Sequence, residues 1–540
     1  MDYLYHPFRS YRNTVFANNG IVATSQPLAA QAGIEVMRQG GNAIDAAIAT
    51  AAALTVVEPT SNGIGGDAFA LIWTKGKLHG LNASGPSPKS ITAEKVREQG
   101  HEKMPVYGAI PVTVPGAPAS WAEVSKKFGR LSLLETLAPA IRLAEEGFPL
   151  TPILGKFWRI AYDKFKALSD QSSEEARTFE AWFDTFAPNE RSPEIGEVWK
   201  SPDHADTLRQ IGETDGRAFY EGPLAEKMAS AVQEHGGFLS TEDLAAYHPE
   251  WVEPVSANYR GYDVWEIPPN GQGMVALMGL NIHSADGIIP KYGEVETLHR
   301  QIEAMKLAFT DGKAFITQPD EMPVETEHLL SREYAQKRAG VISDRAIDPE
   351  PYELPKGGTV YLAAADGEGN MVSFIQSNYM GFGSGIVVPG TGIALQNRGA
   401  DFSLDPEHPN YLKPGKKTYH TIIPGFLTKD GEAVGPFGVM GGYMQPQGHF
   451  QVVSNTVDFR LNPQAALDQP RWQWTGGKTV QVEPDFPLHL AQALQRKGHD
   501  IQIATDSGGF GRGQIIWRNP ETGVLEAGTE SRTDGSVAVW

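Results

Sequence analysis

Apolar positions recur at helical spacing over residues 27–39, and Gly40-Gly41 follow as a C-cap pair, which predicts a helix that stops there. Asn42 is placed to cap a second helix, with Asp45 in its first turn. Ala46, Ala47, Ile48, Ala49, Ala51, Ala52, Ala53 and Leu54 make that helix apolar nearly all round, the pattern of a helix buried on every side. Residues 60–66 break into a glycine-rich turn, and 68–73 read as a buried strand. From about 131 to 250 the pattern is mostly helical, with Leu134, Leu137, Ile141 and Leu143 near helical spacing, and 295–315 is another amphipathic helix. Residues 319–356, rich in Pro, Asp and Glu with little periodicity, predict an exposed connector. After Gly357-Gly358 the period shortens. Residues 359–365 and 371–377 alternate like strands around a hairpin signal at 366–370, and the remaining chain reads as strand-rich. No repeat of fixed period and no low-complexity tract interrupts this order.

Composition narrows the class. With 41% hydrophobic and 21% charged residues, the 540-residue chain is an ordinary globular one, roughly two to four domain equivalents at about 150 residues each. A net charge of −19 repels phosphate, which argues against nucleic acid and anionic lipid as general partners. The longest largely apolar stretch, residues 46–57, is well short of the roughly 20 residues needed to cross a bilayer, so no membrane span is expected. The N-terminal stretch lacks a basic region leading into an apolar one, and the expectation is a cytoplasmic protein. Zero cysteines exclude disulfides, thiolate metal sites and a cysteine nucleophile.

The motifs that are absent matter as much. There is no Gly-x-Ser-x-Gly elbow, no His-Glu-x-x-His, no Walker A lysine, and no pair of the 14 histidines at ligand spacing beside acids, so neither metal nor cofactor is expected. The glycine run 508–513 reads as a plain turn. Two weak signals remain. Gly357-Gly358-Thr359 opens a strand; if the bond before Thr359 were cut, the freed α-amino group, with an ordinary pKa near 8, would be a built-in base for the threonine hydroxyl. Read alone, the same residues are an ordinary strand start. Gly441-Gly442 follow an apolar strand and can form an oxyanion hole, or simply a turn.

Taken in order, further segments resemble a known pattern: Gly40-Gly41-Asn42-Ala43-Ile44-Asp45, Val57-Glu58-Pro59, Gly63-Ile64-Gly65-Gly66, Tyr259-Arg260-Gly261-Tyr262, Phe382-Gly383-Ser384-Gly385, Asp401-Phe402-Ser403 and residues 445–470. Together they resemble the γ-glutamyltranspeptidase family over nearly the whole chain. The resemblance implies an α+β, four-layer αββα sandwich of the N-terminal-nucleophile hydrolase type, made as a precursor that cuts itself. The position matching the nucleophile is Thr359. Cleavage would give a large piece, residues 1–358, and a small one, 359–540, of about 39 and 20 kDa at roughly 110 Da per residue. The two would stay paired as a heterodimer or as a pair of heterodimers. The resemblance carries the oxyanion donors to Gly441 and Gly442, and the acid that binds a substrate α-amino group to Asp401.

The departures are informative. The family's carboxylate-clamping arginine falls in a segment that here reads Asn82-Ala83-Ser84-Gly85-Pro86-Ser87-Pro88, without arginine. The family's Ser-Ser pair falls on His420-Thr421, and its later Thr and Asn on Ser377 and Tyr379. The catalytic pieces survive while the glutamate clamp does not. His420 or Arg398 is the candidate to meet a carboxylate instead, with Thr421 beside them; both are equally well read as structural. Three readings follow: a hydrolase or transferase of γ-glutamyl-like amides, a glutaryl-type cephalosporin acylase, and a non-catalytic member of the family.

Overall fold

The structure, a computed structural model, describes residues 12–349 and 358–540. Most of the N-terminal stretch and Gly357 lie outside the described residues.

The first helix, Pro27–Arg38, starts where the Gln26 side chain accepts hydrogen bonds from the Leu28 and Ala29 N–H groups, and it ends at Gln39 before Gly40 turns with φ 104°. Asn42 and Asp45 form a reciprocal capping box on the second, Ala43–Val57, every residue of which is buried. The glycine turn that follows is a close-approach device. A Cβ at Gly66 would lie 2.5 Å from the Ser377 carbonyl oxygen, and one at Gly65 would lie 2.4 Å from that of Ala394. These glycines let the turn lie flat against the strand that carries Ser377.

Two seven-stranded, largely antiparallel sheets lie face to face among the described residues. One runs Ser536–Val539, Gly20–Thr24, Gly358–Asp366, Met371–Tyr379, Asp67–Thr74, Lys77–Ala83, Glu250–Val252. The other runs Val15–Ala17, Leu525–Thr529, Arg512–Arg518, Glu432–Met440, Gly425–Lys429, Tyr262–Glu266, Val255–Tyr259. Ile21, Phe69, Leu71, Tyr361, Ile375, Phe426 and Ile516 fill the space between them. The outer face of the first sheet is covered by the Ala43–Val57 helix and its neighbours, that of the second by the helices Gly273–Ser284, Val295–Phe315 and Met444–Val457. The layers are therefore helix, sheet, sheet, helix, as expected.

Two expectations need correcting. Of the predicted connector, residues 350–356 lie outside the described residues, and 319–349 are mostly exposed as expected but not irregular: they hold a 3₁₀ turn and the helices Thr326–Leu329 and Arg332–Ala339, pinned by buried Leu329, Tyr334 and Ala335 and by Arg338 on Asp311 at 2.7 Å. Short helices tethered by a few anchors leave no period to read. The strand-rich tail also contains the helix Met444–Val457, buried over most of its length, whose Gln, His and Asn residues broke the apolar pattern.

Candidate active site

Thr359 sits one residue into a central strand, where the register against Met371–Tyr379 shifts between Gly358 and Val360. Such a bulge re-aims a side chain out of the ladder. The Gly358 carbonyl oxygen accepts from the Thr359 hydroxyl at 2.7 Å and from the Ser377 hydroxyl at 2.7 Å, and the two hydroxyl oxygens are 3.1 Å apart. The hydroxyl of residue 359 is thus already against the carbonyl it would attack, and a second hydroxyl polarises that carbonyl. Ser377 is held in turn by the Tyr379 N–H at 2.8 Å. Tyr379 has φ 76°, a left-handed conformation that a bulky residue adopts only under constraint.

Gly441 and Gly442 end the strand Glu432–Met440 with φ 141° and 57°, values that only glycine takes easily. Their carbonyls are tied down, Gly441 by the Met444 N–H at 3.0 Å and Gly442 by the Gln272 side-chain amide at 2.9 Å. Among the described residues neither of their N–H groups is spent on a turn or side-chain acceptor. Gln445, one turn on, reaches back to the Thr359 hydroxyl at 3.4 Å, which places this loop beside that residue.

The third component is a buried charge cluster. Asp401 Oδ1 accepts from the Tyr379 hydroxyl at 2.9 Å and the Tyr443 hydroxyl at 2.8 Å. Arg398, fully buried, lies 3.7 Å from Asp401 Oδ2, stacks 4.0 Å from the Tyr379 ring centroid, and donates from Nη1 to the Thr421 hydroxyl at 2.8 Å. Its Nε and Nη2 have no hydrogen-bond partner among the described residues. Lys313 donates to the Tyr443 hydroxyl and lies over the Tyr443 and Tyr419 rings. Burial pushes the Lys313 ammonium down to about 7, against the pull of Asp401; burial likewise lowers Arg398 and raises the Tyr379 phenol well above its ordinary range.

His420 is brought to this cluster but not into the role expected for it. Its Nε2 faces Asp67 Oδ2 at 3.0 Å and its Nδ1 accepts from the Ile422 N–H, so both ring nitrogens are taken. Burial holds this imidazole well below its ordinary value and pushes Asp67 up to about 7. Asp67 also accepts from Gly85 N–H at 3.1 Å and Gln396 Nε2 at 2.9 Å. The pair therefore braces the loops on which Thr421 and Arg398 stand. Asn82, Pro86 and Ser87, from the segment without arginine, line a separate cavity of about 600 Å3 with Lys89, Glu250 and Lys417; Thr359 is not among its walls. Sequence reasoning missed Tyr443, Lys313 and Gln445. No local signal marked them, since Tyr443 and Gln445 stand among glycines and other polar residues and Lys313 is one of several charged residues on its helix.

One group has the donor set for a metal. His299 and Glu303, one turn apart on a helix, meet His499 with ligand atoms within 4.8 Å of one another. A chain of hydrogen bonds already occupies it. His299 Nε2 donates to the Ser343 carbonyl at 2.8 Å, its Nδ1 meets His499 Nε2 at 2.8 Å, and Lys306 lies 3.4 Å from His499 Nδ1 and 2.9 Å from Glu303. A buried ammonium at that distance supplies the positive charge a cation would bring.

With this geometry in place, similarity to known proteins becomes interpretable. The family model described as Gamma-glutamyltranspeptidase matches residues 29–540. A glutathione hydrolase-like YwrD proenzyme of Bacillus subtilis (strain 168) is 36% identical over 97% of this chain and 99% of its own. An oxamate amidohydrolase proenzyme of Klebsiella pneumoniae is 33% identical over 97% and 98%. The crystal structure of a cephalosporin acylase from Bacillus halodurans superposes with a TM-score of 0.96 at 63% identity, covering 99% of this chain and 98% of that one. Relatives that are enzymes by name set aside the non-catalytic reading. No helix of the described residues is long and apolar enough to cross a membrane. A four-layer αββα fold, a threonine at the start of a central strand and a match over most of the chain lead to one assignment: the chain belongs to the γ-glutamyltranspeptidase family, as an N-terminal-nucleophile hydrolase of its cephalosporin-acylase-like branch.

Proposed function

We propose that the chain cuts itself between Gly358 and Thr359, giving pieces 1–358 and 359–540. It then hydrolyses amides whose acyl part carries a carboxylate but no amino group beside it, the chemical class of a glutaryl-type acylase. In turnover the Thr359 hydroxyl attacks the amide carbon, its own α-amino group takes the proton and passes it to the leaving amine, and the Gly441 and Gly442 N–H groups hold the oxyanion. Water then releases the acid from the ester.

The observation that carries the acyl preference is the pairing around Asp401. An incoming α-ammonium needs that carboxylate as acceptor, yet Oδ1 already receives two tyrosine hydroxyls and Oδ2 faces a guanidinium. Burying an ammonium there leaves it only Oδ2, beside the Arg398 guanidinium whose like charge repels it, and that is costly. A carboxylate instead finds Arg398 Nε and Nη2 unpartnered and the Thr421 hydroxyl beside them. One relative fits this class by name, and a second is an acylase by name. Oxamate is an amide bearing a carboxylate and no amino group on the acyl part, and a cephalosporin acylase is the 63% identical neighbour.

The test is a direct comparison of glutaryl anilide with γ-glutamyl anilide. We expect kcat/KM about tenfold or more in favour of glutaryl, the ratio set by one unpaired charge of roughly 1.5–3 kcal/mol. Equal or faster γ-glutamyl hydrolysis overturns the preference. The second reading, γ-glutamyl hydrolysis or transfer, is favoured by the presence of Asp401 itself, with Oδ2 held by no hydrogen bond among the described residues.

A further inference from the structure

Gln445 is fully buried in the first turn of the helix Met444–Val457, directly after the Gly441-Gly442 loop. Its amide has one possible orientation. The Ile423 N–H, a donor, stands 3.0 Å from one end, so that end must be the oxygen, and the other end, facing the Thr359 oxygen at 3.4 Å, must be the NH₂. A buried glutamine anchored by a backbone donor and aiming its own donor at a nucleophile's oxygen is more than filler. The other partners of that oxygen are the Gly358 carbonyl, which can only accept, and the Ser377 hydroxyl, which itself reaches for that carbonyl. In the uncut chain, when the threonine oxygen gives up its proton, Gln445 is the donor left free to meet the growing negative charge; after the cut the Ser377 hydroxyl joins it.

We propose that Gln445 is a further catalytic residue, a hydrogen-bond donor to the Thr359 hydroxyl oxygen in both self-cleavage and turnover. In self-cleavage the bond from Oγ to the Gly358 carbonyl carbon forms, the bond from that carbon to the Thr359 nitrogen breaks, and the proton from Oγ ends on the freed nitrogen. Water then adds its hydroxyl to the Gly358 carbon and returns a proton to Oγ. Turnover repeats the sequence with the substrate acyl carbon and the leaving amine. In each pass Oγ carries negative charge twice, on attack and on release from the ester, and an amide N–H at hydrogen-bond distance stabilises both. Apo contacts of this kind are commonly long and tighten as charge develops.

The inference rests on reading Thr359 as the nucleophile, and the experiment separates the two. Gln445→Glu keeps the acceptor for Ile423 but presents a carboxylate oxygen to Thr359 above the pKa of the new acid. The expected result at pH 8 is a roughly 10–100-fold loss in kcat on glutaryl anilide with KM within threefold, and slower appearance of the cut chain by mass spectrometry. As pH falls the new carboxyl takes up a proton and becomes a donor, so the ratio of variant to parent activity rises toward one near pH 5. A purely structural role moves melting temperature and does not produce that pH-dependent recovery. A pH-independent ratio, or a loss wholly in KM, overturns the proposal. Gln445→Met, of similar length with neither donor nor acceptor, is the second variant; if it turns over at the parental rate, the proposal also falls. Self-cleavage needs no added substrate, so an error in the acyl preference leaves this readout intact. If Thr359→Ala is still cut before residue 359, it is the nucleophile assignment that fails, whatever Gln445 does.

Discussion

The partners of the Thr359 hydroxyl are a carbonyl, a serine hydroxyl and a glutamine amide, none of which takes up a proton near neutrality. A base must come from elsewhere, and the α-amino group released by cleavage is the one that chemistry supplies. Thr359→Ala should therefore remain a single 540-residue chain without amidase activity and with near-normal folding, since only a hydroxyl and a methyl are lost. Thr359→Ser should still cut, more slowly, because the oxygen stays while the methyl that restricts its rotamer is gone. Mass spectrometry of both variants settles the point; a cut before residue 359 in the alanine variant refutes it. Arg398 gives a second test at this scale. Arg398→Met removes the free guanidinium N–H groups but keeps an apolar side chain over the Tyr379 ring. KM for glutaryl anilide should rise about tenfold or more, for a charged hydrogen bond of roughly 1.5–3 kcal/mol, while a butyryl anilide is unaffected. A parallel rise for both substrates means that Arg398 only supports the loop.

Between elements, charge on one helix is felt by a loop from another part of the chain. Lys313, near the end of the helix Val295–Phe315, meets Tyr443 beyond the glycine loop and through it Asp401. With its ammonium pushed down to about 7, it is cationic below that pH and neutral above it. Counting Asp401, Arg398 and Lys313, the cluster changes from one net positive charge to zero as pH rises through about 7, so it holds an acyl carboxylate better on the acid side. The ratio of glutaryl to butyryl anilide in kcat/KM should fall about fivefold across that range, for a charge effect of roughly 1 kcal/mol, and should flatten in Lys313→Met to the slope left by Asp67, which burial pushes up to about 7 and whose charge Arg398 feels. The shared titration of the Thr359 amino group cancels in the ratio. Stability moves the opposite way with pH. The folded-state value lies below the ordinary lysine value near 10.4, so the unfolded chain binds more protons between the two and stability rises with pH there. Lys313→Met should accordingly gain most in melting temperature at pH 6 and least at pH 10. An unchanged slope of the activity ratio in the variant rules this out.

The same scale explains what the sequence could disclose. The Asn42 cap, the buried alanine helix, the hairpin after Thr359 and the helix Val295–Phe315 were legible because caps, period and turn chemistry are local. Thr359 and Gly441-Gly442 gained meaning only through resemblance to a family, since a glycine pair before a hydroxyl is common in strands and turns. The Asp67–His420 pair could not be foreseen, because its members are 353 positions apart and nothing local distinguishes a histidine braced by a buried acid from one facing a substrate. Gln445 was hidden for the opposite reason. Its neighbours Pro446, Gln447 and Gly448 read as a break in the tail's alternation, while the structure makes them a buried helix whose glutamines are fastened to backbone groups of other elements.

For the whole molecule, the proposed cut at Gly358-Thr359 does not fall between two bodies. In one sheet the large-piece strand Gly20–Thr24 lies between two small-piece strands, Ser536–Val539 and Gly358–Asp366, while Met371–Tyr379 pairs with Asp67–Thr74 of the large piece. In the other, Val15–Ala17 pairs with Leu525–Thr529 and Tyr262–Glu266 with Gly425–Lys429, again across the two pieces. The layer between the sheets draws Ile21, Phe69 and Leu71 from one piece and Tyr361, Ile375 and Ile516 from the other. Pulling the pieces apart would expose these side chains and open strand edges along every seam, a loss that exceeds a domain's net stability of roughly 5–15 kcal/mol. The pieces should therefore co-elute on a sizing column after maturation and separate only in denaturant, with both melting in one transition. Cutting alone should lower stability little, because the new ends lie at the start of one strand and leave the ladders whole. A small piece eluting by itself under native conditions, or two melting transitions in the matured protein, would contradict the interleaved sheets on which this expectation rests.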